Sequence, residues 1–269
     1  MQIAPQTLPD HLAISRCRHG TMLYSTRDHY VGGSLAKYGE FSTGEVDLFG
    51  QMLRPGDTVV EVGANIGAHT VALAQLVGPT GTVHAFEPQR IIFQMLCANV
   101  SLNGLTNVHT VQAGLAAAPG NLQVPPQDYA GPGNFGGISL SPGQGETVAL
   151  RTLDELALPA LRLLKIDVEG MESEVLRGAA DTIKRLRPFL YVENDRDAKS
   201  AALIRQIFEL DYRLWWHLPR MFNPGNFRGV AENIFGPVIS INMVGVPRER
   251  AVRNDMHEIT DENANWRTL

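Results

Sequence analysis

Glu61 stands inside a run of β-branched residues, two positions before Gly63, in the stretch T-V-V-E-V-G-A-N-I-G-A-H-T at residues 58–70. A carboxylate there sits at the end of a buried strand, beside a glycine that lets a ligand approach the backbone. It suits a cationic group and would meet a pyrophosphate with the wrong sign. Glu87 repeats the pattern, where T-V-H-A-F-E-P ends a second apolar run on an acid. It falls about 20 residues past the glycine turn, where a carboxylate accepts both hydrogens of a ribose diol. A helix-start acid before Pro88 fits the same position. A third concentration is L-R-L-L-K-I-D-V-E-G-M-E at residues 161–172, followed by Glu193-Asn194 after F-L-Y-V. Lys165, Asp167 and Glu169 occupy alternate positions and share one side while the strand continues. Charges in a central strand are expensive unless paired, so Lys165 serves either a structural ion pair or the chemistry.

These residues need strands to carry them. Pro55-Gly56-Asp57 supplies a turn into the strand that begins at Thr58. Gly63 and Gly67 permit a tight turn, and Val71, Leu73, Leu76 and Val77 then recur near one face of a helix. Strand, glycine turn and helix N-terminus together open a nucleotide-type site in a doubly wound sheet. A dinucleotide fold favours G-x-G-x-x-G, and Ala64-Asn65 stands where its second glycine would fall. Further strands are expected at residues 82–88, 108–116, 161–166, 189–192, 212–218 and 238–246. Helices are expected at residues 44–54, from Pro88 to Asn103-Gly104 with Ile92, Met95, Leu96 and Leu102 inward, from Glu169-Gly170 with Val175 and Leu176 inward, and at 197–211. Residues 1–44 lack a clean period and read as an extension packed on the sheet. Residues 45–246 form the main domain, and the polar tail at 247–269 reads as helical or disordered.

Two stretches carry no periodic signal. Residues 119–147 are rich in Gly, Pro, Gln and Asn, and such a long segment in a compact domain is usually functional or mobile. Residues 219–236 form an insertion before the last strand. With Trp216 and His217 just ahead of it, Phe222, Asn226 and Asn233 are candidates to line an acceptor pocket, core or loop packing being the alternative for each aromatic. At the end of the third strand, Gln112 or Ala113 is placed to approach an adenine.

The wording E-V-G-A-N-I-G-x-x-T resembles motif I of the class I S-adenosylmethionine-dependent methyltransferases, and in particular the FkbM-like branch. K-I-D-V-E-G-x-E-x-x-V-L-x-G at residues 165–178 is the most specific match to that family. The resemblance covers roughly residues 38–195 and implies an α/β, Rossmann-like fold. That fold is a doubly wound, mostly parallel seven-stranded sheet with an antiparallel C-terminal hairpin. It implies S-adenosyl-L-methionine as cofactor, held by Glu61, Gly63, Asn65, Gly67, Thr70, Glu87, Pro88, Gln112 and Asp167. It adds Glu40, from the segment Tyr38-Gly39-Glu40, and suggests that residues 134–140 cover the cofactor or substrate. It also implies O-methylation of a hydroxyl on a small natural product, sugar or glycan. An alcohol acceptor must lose its proton, and Asp167, Glu169, Glu193 and His217 are the candidate bases, in that order, with Lys165 beside them. Asp167 with Glu193-Asn194 is similar to the acid–acid–amide Mg²⁺ site of catechol-type O-methyltransferases, and Glu for Asp lengthens one arm. A nicotinamide-dependent oxidoreductase with an altered glycine turn and a catalytically silent binding module are the competing readings.

Composition sets the outer bounds. A chain of 269 residues with 44% hydrophobic residues can bury a substantial core. A net charge of -5 gives no reason to expect a nucleic-acid partner. Its two cysteines, Cys17 and Cys97, make no metal signature. The N-terminus lacks a charged segment followed by an apolar run, and no later run is long enough for a bilayer, so a soluble cytoplasmic protein is expected. Nothing in the sequence speaks to oligomeric state.

Overall fold

The computed structural model describes residues 8–269, so the reading of the first seven residues lies outside it. The described chain opens on an antiparallel hairpin of β1 (Leu12–Cys17) and β2 (Gly20–Ser25), followed by α1 (Val31–Tyr38) and α2 (Thr43–Met52). Alternating strands and helices come next: β3 (Thr58–Val62), α3 (Ala68–Val77), β4 (Thr82–Phe86), α4 (Arg90–Leu102) and β5 (Val108–Val111). Three short strands, β6 (Gly114–Leu115), β7 (Gly120–Val124) and β8 (Glu146–Arg151), form a separate sheet in the order β6-β8-β7. The alternation resumes with β9 (Leu163–Ile166), α5 (Glu172–Arg177), α6 (Ala180–Leu186), β10 (Phe189–Glu193) and α7 (Asp197–Glu209). β11 (Tyr212–His217), β12 (Asn242–Pro247) and β13 (Glu258–Ile259) complete the chain.

The main sheet runs β13-β11-β12-β10-β9-β3-β4-β5. β10, β9, β3, β4 and β5 are parallel, and β12 lies antiparallel between β10 and β11. The expected doubly wound sheet with an antiparallel C-terminal hairpin is therefore present, and β13 from the polar tail adds an eighth strand at one edge. The chain builds outward from β3 through β4 to β5, then returns to the other side of β3 with β9. That reversal makes a switch point between β3 and β9, where an open α/β sheet forms a ligand crevice at the strand C-termini.

Burial on both faces explains the near-continuous apolar strands. Successive side chains alternate: Val59, Leu163 and Tyr191 pack under Leu48, Phe49 and Leu73 of α2 and α3, while Val60, Leu164 and Leu190 face Val175, Ile183 and Ile207 on the opposite side. Truncating one such core leucine to alanine costs about 2–5 kcal/mol. The hairpin docks through two asparagines of α4. Asn99 accepts from Leu23 N–H at 2.6 Å and donates to Leu23 O at 2.9 Å, and Asn103 brackets Thr21 in the same way at 2.9 and 2.8 Å. These amides satisfy an edge strand that otherwise offers unpaired backbone groups.

Several expected boundaries shift. The third strand ends at Val111, because Ala113 N–H turns back onto Val111 O at 3.0 Å and sends Gly114–Leu115 to the smaller sheet. Residues 119–147 contain β7 and the start of β8 rather than loop alone. Leu102 is 45% exposed, and Asn99 and Val100 take the inward positions at that end of α4. The last strand begins at Asn242, four residues later than expected. Cys17 and Cys97 are both free thiols. Among the described residues, no helix is long and apolar enough to cross a membrane.

Candidate functional site

The glycine turn shapes the crevice. Gly63 has φ +82°, and a Cβ there would fall 1.8 Å from the Asp167 carbonyl oxygen, so β3 and β9 approach closely only with glycine at this point. Asn65 also adopts the left-handed region, at φ 50°, and its side chain accepts from Ile66 N–H at 2.7 Å. Gly67, at φ +87°, starts α3 beneath Leu96. Beyond this turn lies a cavity of about 460 Å³, within the range of small-molecule sites.

Its floor is acidic. Glu61 is buried and accepts from the Thr70 hydroxyl at 2.6 Å, with Lys165 Nζ 3.8 Å away. Burial pushes its carboxyl up to about 7, against the pull of Lys165 and Thr70. Glu87 Oε2 accepts from Asn65 N–H and Oε1 from Gln89 N–H, both at 2.9 Å, which fixes the carboxylate beside the glycine turn. Burial raises it to about 7 as well. Lys165 Nζ donates to Asp167 Oδ2 at 3.2 Å. Burial opposes its charge, but Asp167, Glu61 and Glu45 outweigh that cost and hold the ammonium above its ordinary value.

The far end gathers Asp167, Glu169 and Glu193, which each place a carboxylate oxygen within 4.8 Å of the others. Glu169 has the strained φ of 56°, pairs with Arg196, and is pushed up to about 7 by burial and then by Asp167. Glu193 is raised well above the ordinary carboxylate range by burial and by the surrounding acids, and its Oε2 is buried without a partner. Residues 134–140 contribute Asn134, Gly136, Gly137, Ile138 and Leu140 to the cavity wall, and buried Phe135 holds the segment through its carbonyl to Gln89 Nε2 at 2.8 Å.

Asp167, Glu169, Glu193, Lys165, Glu61, Gly63, Asn65, Glu87 and Pro88 thus surround one cavity. Gly67 and Thr70 lie just outside it, shaping the turn and holding Glu61. Other expectations are corrected. Glu40 is buried outside the cavity, where it accepts from Arg18 at 2.7 Å, Thr43 at 2.8 Å, Asn223 at 2.8 Å and Phe227 N–H at 2.7 Å and ties α1 to the insertion. Gln112 is exposed, since the turn after Val111 directs Ala113 inward in its place. His217 pairs with the Tyr191 hydroxyl at 2.9 Å and does not line the cavity. Trp216 belongs to the core, and Phe222 packs on Tyr38. Asn226 and Asn233 hold their own loop, donating to Val230 O at 2.7 Å and Gly236 O at 2.8 Å. Met221, Val238, Ile239, Ser240 and Ile241 form the wall expected of those residues.

Asp167, Glu169 and Glu193 stand close enough to hold one ion, though not as the expected acid–acid–amide set. Asn194 turns away to Ser200 Oγ at 2.9 Å and the Met243 sulfur, so the amide ligand is missing. Glu169 replaces it, and two of the three acids already carry ion pairs, Asp167 to Lys165 and Glu169 to Arg196. This donor set does not match the acid–acid–amide pattern, and no step is assigned to a cation.

Among the charged and imidazole residues of the lining, Glu45, His69, Asp195 and Arg196 escaped the sequence reading. Glu45 shares its helix face with Phe49 at i, i+4 spacing, the signal that would have exposed it. His69 stands inside the glycine motif itself.

Comparison with known proteins follows the same residues. A hexuronic acid methyltransferase, AglP, of Haloferax volcanii is 30% identical over 157 residues, covering 56% of this chain and 62% of its own length. The 31-O-demethyl-FK506 methyltransferase FkbM of Streptomyces tacrolimicus is 54% identical over 50 residues, which cover 19% of each chain. The chain therefore spans less than two thirds of these relatives. A crystal structure of methyltransferase FkbM from Methylobacillus flagellatus superposes with a TM-score of 0.49 at 18% identity, covering 76% of this chain and 51% of that one. The family model of the methyltransferase FkbM domain matches residues 61–214, more than half of the chain. The chain belongs to the FkbM family of S-adenosylmethionine-dependent methyltransferases.

Proposed function

We propose that the protein transfers the methyl group of S-adenosylmethionine to a hydroxyl oxygen of a small molecule, a sugar or a natural product. The observation that carries this reading is the continuity of one cavity from Glu61 and Glu87 to the carboxylates of Asp167, Glu169 and Glu193. In this reading Glu87 takes the ribose diol, Glu61 faces the cationic methionine amino group, and the sulfonium points toward Asp167. Two relatives support the acceptor class, one named for a hexuronic acid and one for a 31-O-demethyl compound. Family membership sets aside the nicotinamide alternative.

Transfer needs an acceptor oxygen in line with the S–CH₃ bond, and alignment in a closed cavity lowers the barrier by on the order of 7–11 kcal/mol. The hydroxyl proton leaves as the O–CH₃ bond forms, and the sulfur keeps the S–C electron pair and becomes neutral. Asp167 is placed to receive that proton. Lys165 Nζ donates to Asp167 Oδ2, whereas Arg196 pairs with Glu169 and the Oε2 of Glu193 is buried, so Asp167 is the member of the cluster assigned the base role. General-base action contributes about 10²–10⁴-fold.

The test is transfer from labelled S-adenosylmethionine to a hydroxyl-compound panel by wild type and Asp167→Asn. A product O-methylated by wild type, with turnover cut at least about 100-fold in the variant at unchanged cofactor affinity, supports the reading. N- or C-methylated product, or full activity in the variant, contradicts it.

A further inference from the structure

Met221 and residues 238–241 wall the acid end of the cavity, where Asn194 N–H, next along the chain from Glu193, donates to Ile241 O at 2.8 Å. Two backbone bonds join the wall's halves, Met221 N–H to Val238 O at 3.1 Å and Ser240 N–H to Pro219 O at 2.9 Å. A two-stranded ribbon of this kind is marginal alone, so whatever grips it sets where it lies. The far half of the insertion is held by Tyr38 and Arg228. The Tyr38 hydroxyl donates to Glu232 O at 2.9 Å and accepts from Ile234 N–H at 2.8 Å, and Arg228 Nη2 donates to Ser15 Oγ at 2.8 Å. The near half, residues 223–227, follows directly on Met221 and is held by Glu40.

Glu40 is 4% exposed, and both of its oxygens are engaged. Oε1 accepts from Thr43 Oγ1 and Asn223 Nδ2, each at 2.8 Å, and Oε2 from Arg18 Nε and Phe227 N–H, each at 2.7 Å. Arg18 reaches on to donate from Nη2 to Gly225 O at 3.0 Å. One carboxylate therefore joins the β1–β2 turn, the start of α2 and the insertion. Phe41, next to Glu40 in the chain, lines the cavity too, so the same group braces two parts of the lining. Apolar packing holds a loop as firmly as a buried charge does, but four directional bonds also fix its position.

We propose that Glu40 is a positioning residue for the acceptor: it sets the wall on which a polyhydroxylated ring lays its C–H face while the reacting hydroxyl faces Asp167. The proposal rests on the methyl-transfer reading and adds to it an acceptor-side role for a residue outside the cavity. Met221, Val238, Ile239 and Ile241 make the wall largely apolar, with Ser240 among them, a surface suited to ring C–H groups. Releasing the clamp shifts this wall and leaves Glu61, Glu87 and the glycine turn in place. Acceptor binding, and not cofactor binding, therefore depends on Glu40.

The experiment is a donor–acceptor swap across the clamp. Asn223→Asp exchanges the Nδ2 donor for an oxygen facing Glu40 Oε1, while Oδ1 keeps its bond from Gly225 N–H at 2.9 Å. Adding Glu40→Gln turns an amide donor back toward position 223 and leaves an oxygen for Arg18 and Phe227 N–H, with the charge of the cluster unchanged. The probes are methyl glycosides of neutral hexoses and of hexuronic acids, with S-adenosylmethionine affinity measured in parallel by calorimetry. Asn223→Asp is expected to raise the glycoside KM about tenfold or more, with kcat and cofactor Kd within about threefold of wild type. The double variant is expected to recover most of that KM. Unchanged KM in Asn223→Asp, an equal loss of cofactor affinity, a double variant no better than the single one, or no transfer to any glycoside by wild type that binds the cofactor overturns the proposal. Should either variant not fold, Asn223→Ala decides alone: KM about threefold or more above wild type at unchanged cofactor Kd supports the clamp, and an unchanged KM overturns it. Wild type that does not bind S-adenosylmethionine would instead overturn the methyl-transfer reading beneath it.

Discussion

Replacing Glu87 with alanine should weaken binding of S-adenosylhomocysteine in a way the structure lets one size. A carboxylate has about four lone-pair positions, and backbone N–H groups of Asn65 and Gln89 occupy two of them at 2.9 Å. The remaining positions are free for a ribose diol. Charge-assisted bonds of this kind contribute about 1.5–3 kcal/mol, so Kd should rise about 12- to 160-fold. Alanine also orphans two amides, so urea unfolding must accompany the calorimetry, and Glu87→Gln serves as the gentler variant. Proton linkage gives a second readout. The ionised carboxylate is the form that accepts both diol hydrogens, and burial pushes Glu87 up to about 7. Affinity should therefore fall as pH drops through 7, approaching tenfold per pH unit for this group. Glu61, also raised to about 7, contributes its own dependence, so Glu87→Gln should lower the slope by about one unit rather than flatten it. A folded Glu87→Ala protein with Kd within threefold of wild type would refute the ribose assignment.

Three further outcomes follow from the buried groups. Lys165→Met leaves Glu61 buried with only Thr70 against it, and should cost about 3–5 kcal/mol at pH 8 by denaturant unfolding, less at pH 6 where Glu61 takes a proton; equal stability at pH 8 contradicts the pairing. His69 is held neutral down to about pH 3 by burial, against an ordinary value of 6.5, so its contribution is present above 6.5 and lost as pH falls. Wild type should lose about 2 kcal/mol between pH 7 and 5 that His69→Phe does not lose, and parallel urea curves for the two would sink that assignment. Gly63→Ala should abolish cofactor binding, since its Cβ would meet the Asp167 carbonyl at 1.8 Å in a backbone conformation alanine rarely adopts; calorimetry showing intact binding would contradict this.

What the sequence made legible was local. Thr58–Val62 and Leu163–Ile166 announce themselves by their apolar and β-branched residues, and Glu61, Lys165 and Asp167 stand out because they interrupt or end those runs. Glu61, Glu87 and Asp167 were singled out for that reason, and all three line the cavity. Glu40 misled because its neighbours Arg18, Asn223 and Phe227 are remote in sequence and give it a structural role that no local pattern reveals. Asn194 misled likewise, since one peptide beyond Glu193 its side chain points to the other side of the strand. Glu45 and His69 come together only when α2 lies across the sheet, so their proximity has no signature in spacing. The small sheet of β6, β7 and β8 hid in a Gly- and Pro-rich stretch because its strands are short, and the alternation of Leu122 with Val124 and of Val148 with Leu150 spans only two apolar positions each.

The most direct test of the account is a crystal structure with S-adenosylhomocysteine bound. The predicted result is the ribose diol on Glu87, the methionine amino group toward Glu61, and the sulfur facing the Asp167, Glu169 and Glu193 cluster. A nucleoside bound elsewhere, or lying in this cavity with its sulfur turned away from Asp167, would contradict it.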